Sequence, residues 1–347
     1  MLNNEKINLI TSRLFYQITF FCILFGVICA FINFHFDRSL WLDEAMLANN
    51  IVSRNYSQLL SPLGQQQVAP IGFLYVEKFF FILFKGGAFS LRLVPFLCYL
   101  ISVPLFYRLA FLVSKNKNIS IFSCALFALN AIVINYSNEV KQYSVDVLLA
   151  IAIFLTGLRY LEDFSKKSTS NYAMVSSVAI IFSNVSLISI LIFNSAIVIR
   201  LLQQKDNKLI LQRGWPLLLN TILFLTYYFY FIYGHPSQAG MITFWENAKA
   251  FLPKNIFSME FVEALDVKLL QNLDWIITLI KFQYLKVAII VFGVVFAFLK
   301  NKKVLFFVMP VTIHLTLSYF DLYPFHQRLI LYLTPFTIFL FSYGLIN

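Results

Sequence analysis

Asp43 and Glu44 are adjacent carboxylates in Trp41-Leu42-Asp43-Glu44-Ala45, within a chain that is 12% charged and 60% hydrophobic. Acids beside a membrane are costly and packing gives no reason to keep them, so they mark a site. A carboxylate within hydrogen-bond reach of a hydroxyl can take its proton during attack on another centre, worth ~10²–10⁴-fold in rate. Either acid could do this, but neighbours on a helix point to different sides, so one of them faces the chemistry. Two further clusters stand out. In Tyr136-Ser137-Asn138-Glu139-Val140-Lys141-Gln142-Tyr143-Ser144-Val145-Asp146, residues Glu139, Tyr143 and Asp146 have i, i+4, i+7 spacing, which is one face if the turn is helical. In Asp321-Leu322-Tyr323-Pro324-Phe325-His326-Gln327-Arg328, an arginine lies about one turn inside the last apolar segment. Facing lipid at mid-membrane it would cost ~2.5–3.5 kcal/mol, so it needs a partner or an anion.

Each cluster has a plainer reading. Asp43 could pair with Arg38 or Arg54, Glu139 with Lys141 as a surface pair worth under ~1 kcal/mol, Asp146 could cap a helix, and Arg328 could snorkel to water. His35, His235, His314 and His326 lack metal-ligand spacing. Tyr136, Trp245, Tyr323 and Phe325 fit an interfacial aromatic belt. Cys22, Cys29, Cys98 and Cys124 all fall inside apolar segments, which suits packing and argues against a disulfide framework.

The elements that position these residues are membrane helices. With 347 residues and 40 Phe, a mean hydropathy of +0.76 and repeated apolar runs, the chain is expected to be an all-α polytopic membrane protein, one domain over 1–347. Segments 14–34, 91–113, 119–136, 144–162, 172–183, 186–203, 215–233, 276–299, 304–320 and 327–346 give about ten spanning helices by the ~20-residue rule. The net charge of +11 is scattered through short loops, so topology rather than nucleic acid accounts for it. The shorter stretch 69–84 carries Glu77 and Lys78 at its middle. If it crossed, the loops Lys115/Lys117, Lys166/Lys167, Lys205/Lys208/Arg213 and Lys300/Lys302/Lys303 would all move outside, against the positive-inside rule. It is therefore predicted to be an amphipathic surface helix, leaving both termini and Lys6 and Arg13 cytoplasmic, and making 35–90 one external loop that holds Asp37, Asp43, Glu44 and Glu77. Within it, Trp41, Ala45, Ala48 and Val52 predict one face of a helix with Asp43 and Glu44 in its first turn, where acids suit the helix dipole. A polar stretch, Gln65-Gln66-Gln67, leads to Pro70 at the start of the second surface helix. At 1.5 Å per residue, 171–203 is about 50 Å long, so a tight turn is expected near Ser183-Asn184 between two shortened helices.

The Asp-Glu pair after the first helix, the proline-led surface helix, the aromatic-and-acid motif before the fourth helix and the final Tyr323-Pro324-Phe325-His326-Gln327-Arg328-Leu329 together resemble the C-type superfamily of integral-membrane glycosyltransferases. The nearer relatives are the protein O-mannosyltransferases, the aminoarabinose transferases and the lipopolysaccharide-core galacturonosyltransferases. The resemblance covers most of the chain and is strongest over 35–160. It implies transfer of a sugar from a polyprenyl-phosphate carrier to an acceptor at the external face, with inversion and with Asp43 as the base. Two departures stand beside it. The aminoarabinose transferases carry a Glu-Lys pair before the proline where this chain has Gln67-Val68-Ala69-Pro70, so the phosphate-binding lysine has no counterpart there and Lys141 is the substitute. Many members also have a soluble external domain after their helices, and the given sequence stops with its last apolar segment at Asn347.

On this reading Lys141, Arg328 and Arg92 are the cations for the departing phosphate, which gathers negative charge as the bond to the sugar breaks. The carrier is already a good leaving group, which weighs against an obligatory metal, and no cofactor is certain. A divalent cation bridging Asp43 and Glu139 or Asp146 to the phosphate would meet the oxygen ligands hard cations take. The expected location is a bacterial inner membrane, with the bilayer and a lipid-linked sugar as partners, no nucleic acid, and the acceptor left open. A transporter or flippase of lipid-linked sugars is the alternative; it needs polar groups through the membrane's full depth, whereas these gather toward one face. A non-catalytic scaffold would leave Asp43, Lys141 and Arg328 without a shared purpose.

Overall fold

The computed structural model describes residues 2–36, 38–204, 207–278 and 281–347, and among them every regular element is helical. Expectations placed on Asp37 and Lys205, and on the side chain of Lys6, lie outside what is described. In chain order the α-helices are α1 (Leu2–His35), α2 (Leu42–Ser53), α3 (Ile71–Leu83), α4 (Ala88–Ser114), α5 (Lys117–Ala128), α6 (Ala131–Tyr136), α7 (Tyr143–Asp163), α8 (Lys166–Phe182), α9 (Ser186–Gln204), α10 (Asn207–Arg213), α11 (Trp215–Tyr227), α12 (Gln238–Asn247), α13 (Met259–Ile276), α14 (Gln283–Lys300), α15 (Met309–Tyr319) and α16 (Thr334–Ile346). Seven stretches among the described residues are long and apolar enough to cross a membrane: Arg13–His35, Ala88–Ser114, Tyr143–Asp163, Ser186–Gln204, Trp215–Ile232, Gln283–Lys300 and Gln327–Ile346.

The expected spans that did not form as single helices broke where the sequence offers the backbone another partner. The stretch 119–136 divides because the Asn130 side chain accepts the amides of Ile132 and Val133, both at 3.0 Å, capping α6 and ending α5 at Ala128. Around 276 the chain leaves the helical path, so α14 begins only at Gln283. Over 304–320 a tight turn-helix, Lys302–Phe307, precedes α15, which opens at Met309-Pro310 where a missing N–H is tolerated. The predicted reversal near Ser183 is present: α8 ends at Phe182, and the Ser183 hydroxyl accepts the amide of Ser186.

At the centre α7 packs against α4, α8 and α9, and Phe154, Phe193, Phe307 and Phe336 interlock with ring centroids 5.0, 5.6 and 4.2 Å from Phe154. Such edge-on and tilted aromatic packing supplies van der Waals contact where lipid removes the hydrophobic drive. Where α14 crosses α16, Gly344 meets the backbone at Ile289 so closely that a Cβ would come within 2.0 Å of the Ile289 oxygen, and Gly293 faces it. Small residues there let two backbones touch.

Candidate active site

The chain between α1 and α4 builds one wall of the site. α2 begins at Leu42, with Trp41 at its cap, and Glu44 in its first turn accepts the Trp41 amide at 3.2 Å. The buried stripe of α2 is Glu44, Leu47, Ala48 and Ile51, while Trp41 and Val52 are exposed. The predicted face Trp41, Ala45, Ala48, Val52 is thus rotated by about one position, because a charged residue is drawn inward: Glu44 is fully buried and paired with Arg92 of α4 at 3.2 Å. The same carboxylate accepts the Val140 amide at 3.0 Å, and Arg92 also donates to the Arg38 carbonyl at 2.8 Å. Glu44 and Arg92 therefore clamp α2, α4 and the 137–142 turn together. Glu44, expected as a base, and Arg92, expected as a phosphate ligand, are thus both buried and engaged by each other.

α3 braces α2 from behind. Lys78 donates to the Ile51 and Val52 carbonyls, both at 2.9 Å, which satisfies the C-terminal end of α2. Glu77 is wholly buried, with neither carboxylate oxygen hydrogen-bonded, and burial pushes its carboxyl well above the ordinary value. The charged middle of the predicted surface helix thus faces protein rather than water. Between α2 and α3, Asn50 exchanges two hydrogen bonds with the backbone of Gly64, at 2.8 and 3.2 Å, and so fixes the loop that carries Gln65 to Gln67.

Against that wall the three sequence clusters meet at Asp43. Its Oδ1 is 3.0 Å from Lys141 Nζ and its Oδ2 is 2.7 Å from Arg328 of the Gln327–Leu333 turn-helix. Gln67 bridges the first pair, donating to Asp43 Oδ1 at 3.2 Å and accepting from Lys141 at 2.7 Å. Arg328 lies between two indoles, 5.9 Å from the ring of Trp41 and 5.7 Å from that of Trp245. Such faces favour a guanidinium and fix its plane. Burial by itself would raise the Asp43 carboxyl, but Lys141, Arg328 and the Gln67 hydrogen bond outweigh it and hold the group below its usual value. Lys141 is pushed down by burial, an effect that the Asp43 charge offsets in part.

The other expected members are placed differently. Residues 137–142 form a turn and not a helix, so Glu139, Tyr143 and Asp146 do not share one face. Glu139 turns to Asn135, 2.9 Å away, and Arg38, 3.7 Å away, and burial followed by the nearby Glu44 charge lifts its carboxyl to about 7. Tyr143 starts α7 with its ring edge-on to Tyr136 at 5.3 Å, within range of the Asp43 and Arg328 charges. Asp146 points into the bundle toward Ser183, and its Oδ1 has no hydrogen-bond partner. A divalent cation does not fit the bridging position expected for it: both Asp43 oxygens already hold cations, and among the described residues no three His, Cys, Asp or Glu side chains converge.

Sequence reasoning missed Gln67, a neutral amide within a run of three, and it assigned Trp245 to the membrane belt, although that ring seats Arg328. The only advance signal for Gln67 was its place just ahead of Pro70, where the aminoarabinose transferases carry their charged pair.

No family model matches this sequence, and no curated protein matches it. Solved structures do. Over 94% of its length the chain has the fold of ArnT from Cupriavidus metallidurans, with a TM-score of 0.57 and 11% identity to the form bound to undecaprenyl phosphate, and 0.59 and 12% to the apo form. It spans 60% and 59% of the length of those chains. ArnT is an aminoarabinose transferase of the C-type glycosyltransferase group, so the fold implied by the sequence motifs is the fold observed.

Proposed function

We propose that the chain is a membrane glycosyltransferase that moves a sugar from a polyprenyl-phosphate carrier to an acceptor hydroxyl at the external face of a bacterial inner membrane. The observation that carries the reading is one carboxylate, Asp43, held between Lys141 and Arg328 at one end of a helical bundle with the ArnT fold. One of the solved ArnT structures holds undecaprenyl phosphate, which supports a lipid phosphate as the leaving group.

In the proposed step the acceptor oxygen attacks the anomeric carbon from the side opposite the phosphate, the carbon–oxygen bond to the phosphate breaks, and the acceptor proton passes to Asp43. The sugar is inverted and the carrier leaves as its phosphate. Lys141 and Arg328 meet that phosphate as its charge grows, where preorganised cations lower the barrier. Glu44 and Arg92 hold the frame and touch no substrate.

The test uses purified protein in liposomes supplied with polyprenyl-phosphate hexoses and pentoses. Replacing Asp43 by Asn keeps the size and removes the base, so transfer is expected to fall by at least ~10² while carrier binding stays within several-fold. Transfer by that variant near the wild-type rate would rule out Asp43 as base. Movement of the lipid-linked sugar across the bilayer without any transfer would favour a transporter.

A further inference from the structure

The loop between α2 and α3 holds two residues in a conformation that their types do not favour. Gln65 and Gln66 both sit in the left-handed region, with φ of 58° and 53°, where residues other than glycine are uncommon and asparagine is the best tolerated. Such backbone persists only where its surroundings impose it. Here they do: Asn50 Oδ1 accepts the Gly64 amide, the Gly64 carbonyl accepts the Gln67 amide at 3.2 Å, and the Gln67 side chain donates to the Gln65 carbonyl at 3.4 Å. The same Gln67 nitrogen donates to Asp43 at 3.2 Å, so the pair is stationed beside the proposed base. Both of its side chains are exposed.

The facing wall is α12. Gly240 lies against the Gln66 carboxamide, so that a Cβ there would be 3.4 Å from its nitrogen, and farther along Trp245 seats the Arg328 that holds Asp43. Phe244, one turn from Gly240, shares its face and is exposed, with its ring 5.0 Å from that of Trp245. The groups on offer between these walls are neutral: two carboxamides, each with one acceptor oxygen and two donor hydrogens, and an aromatic ring.

Charges at this end of the bundle are already matched. Arg38 donates to the Asn138 carbonyl and lies beside Glu139, Arg54 donates to the Gln58, Ser61 and Pro62 carbonyls, Arg92 holds Glu44 and Arg328 holds Asp43. Among the described residues here, no guanidinium fork is left for a sugar carboxylate. Acids are committed too. Glu44 is sealed against Arg92, Asp321 and Asp274 pair with Lys254 and Lys286, and burial followed by the Glu44 charge lifts the Glu139 carboxyl to about 7. Glu246 follows Trp245, but at about 100° per residue it falls opposite the face that carries Gly240 and Trp245. An ammonium on the sugar would meet no carboxylate, and a charge left unpaired there is costly.

We propose that Gln65 and Gln66 recognise the donor sugar through its hydroxyl groups, and that this sugar is uncharged: a neutral hexose or pentose, not an amino sugar or a uronate. The assignment rests on the glycosyltransferase reading, since it names the donor for that site. A hydroxyl both gives and accepts a hydrogen bond, as a carboxamide does, whereas an ammonium only gives and a carboxylate only accepts.

The test measures binding to the full chain in detergent, by tryptophan fluorescence, of bare polyprenyl phosphate and of the same carrier bearing a neutral hexose, a neutral pentose, a 4-aminopentose or a hexuronate. One of the neutral donors is expected to bind at least ~10-fold more tightly than both charged ones. Gln65→Asn and Gln66→Asn keep the left-handed backbone and draw the amide back. Each should weaken that neutral donor roughly fivefold, the worth of one hydrogen bond, and leave bare polyprenyl phosphate unchanged. Gln66→Glu should raise the affinity for the 4-aminopentose donor relative to the neutral one by about tenfold. Tightest binding of a charged donor by the wild type overturns the proposal, as does unaltered neutral-donor affinity in both asparagine variants. Equal loss of bare carrier and neutral donor would make the loop merely structural and overturn it as well. Tight binding of a neutral donor with no transfer in liposomes would sink the glycosyltransferase reading and leave the sugar class standing, while transfer of a charged sugar alone would do the reverse.

Discussion

At the scale of single residues, the two cations at Asp43 have opposing effects in the empty and loaded site. Clasped by Lys141 and Arg328, the carboxylate is a weak base, because the same charges that keep it ionised lower its proton affinity. In the proposed reaction a carrier phosphate would draw on those cations and free the carboxylate as the acceptor arrives, which would link donor binding to base strength. Lys141→Ala should therefore do two things: weaken carrier binding, and move the acid limb of the transfer rate upward toward the ordinary aspartate value of about 3.9. A rate–pH profile that keeps its acid limb in place would disconnect Lys141 from the base. Glu139 has the contrary shift. Its carboxyl rises from 4.5 to about 7 in the folded protein, so folding favours its protonated form. That contribution to stability is fully present below about 4.5 and is lost as pH rises through about 7. Glu139→Gln should flatten the decline in unfolding temperature across this window, measured by thermal unfolding in detergent, and an unaltered slope would assign the decline to other groups.

At the scale of elements, the Glu44–Arg92 pair decides how α2 presents Asp43. Removing one member leaves the other charged and buried, which costs ~3–5 kcal/mol. Glu44→Ala should lower the unfolding temperature and reduce transfer together, whereas the double change Glu44→Leu with Arg92→Leu should recover much of the stability. Recovery of stability without activity would mark the pair as a device for orientation; equal unfolding temperatures for wild type and Glu44→Ala would contradict the clamp. This pair also shows where sequence reading stops. The helices α2 and α3 and the convergence of Asp43, Lys141 and Arg328 were legible, because apolar spacing sets helices and a charge near lipid needs a partner. The face of α2 was not, since periodicity counts only apolar residues and one of the fully buried side chains on that helix is an acid whose partner lies 48 residues away. Gln67 was illegible for the opposite reason: a neutral amide in a loop carries no mark until the loop is folded by Asn50 onto α2. The expected spans over 119–136 and 304–320 failed on local competition, from Asn130 and from the turn ahead of Pro310.

At the scale of the whole molecule, the basic loops gather at one end of the bundle. Lys303 pairs with Glu162 at 2.5 Å, Asn301 donates to the Val113 carbonyl at 2.7 Å, Tyr160 donates to the Arg213 carbonyl, and Tyr16 donates to Asn118 at 2.7 Å. These contacts bring the segments near 115, 165, 213 and 302 together with the first helix. Along α4 they stand roughly 30 Å from the Glu44–Arg92 pair, about one hydrocarbon thickness. A crossing by α3 would separate none of these loops from one another, but it would conflict with the length of that helix, since 13 residues rise only about 20 Å. The positive-inside rule then predicts a cytoplasmic basic end and an external Asp43. Ser57 is exposed on the Asp43 side, and Lys302 is exposed at the other. In a variant with Cys22 and Cys29 replaced, Ser57→Cys should react with an impermeant maleimide added to intact cells, and Lys302→Cys only after the membrane is opened. Labelling of both from outside would break the topology, and labelling of Lys302→Cys alone would turn it over and put the proposed transfer on the cytoplasmic face.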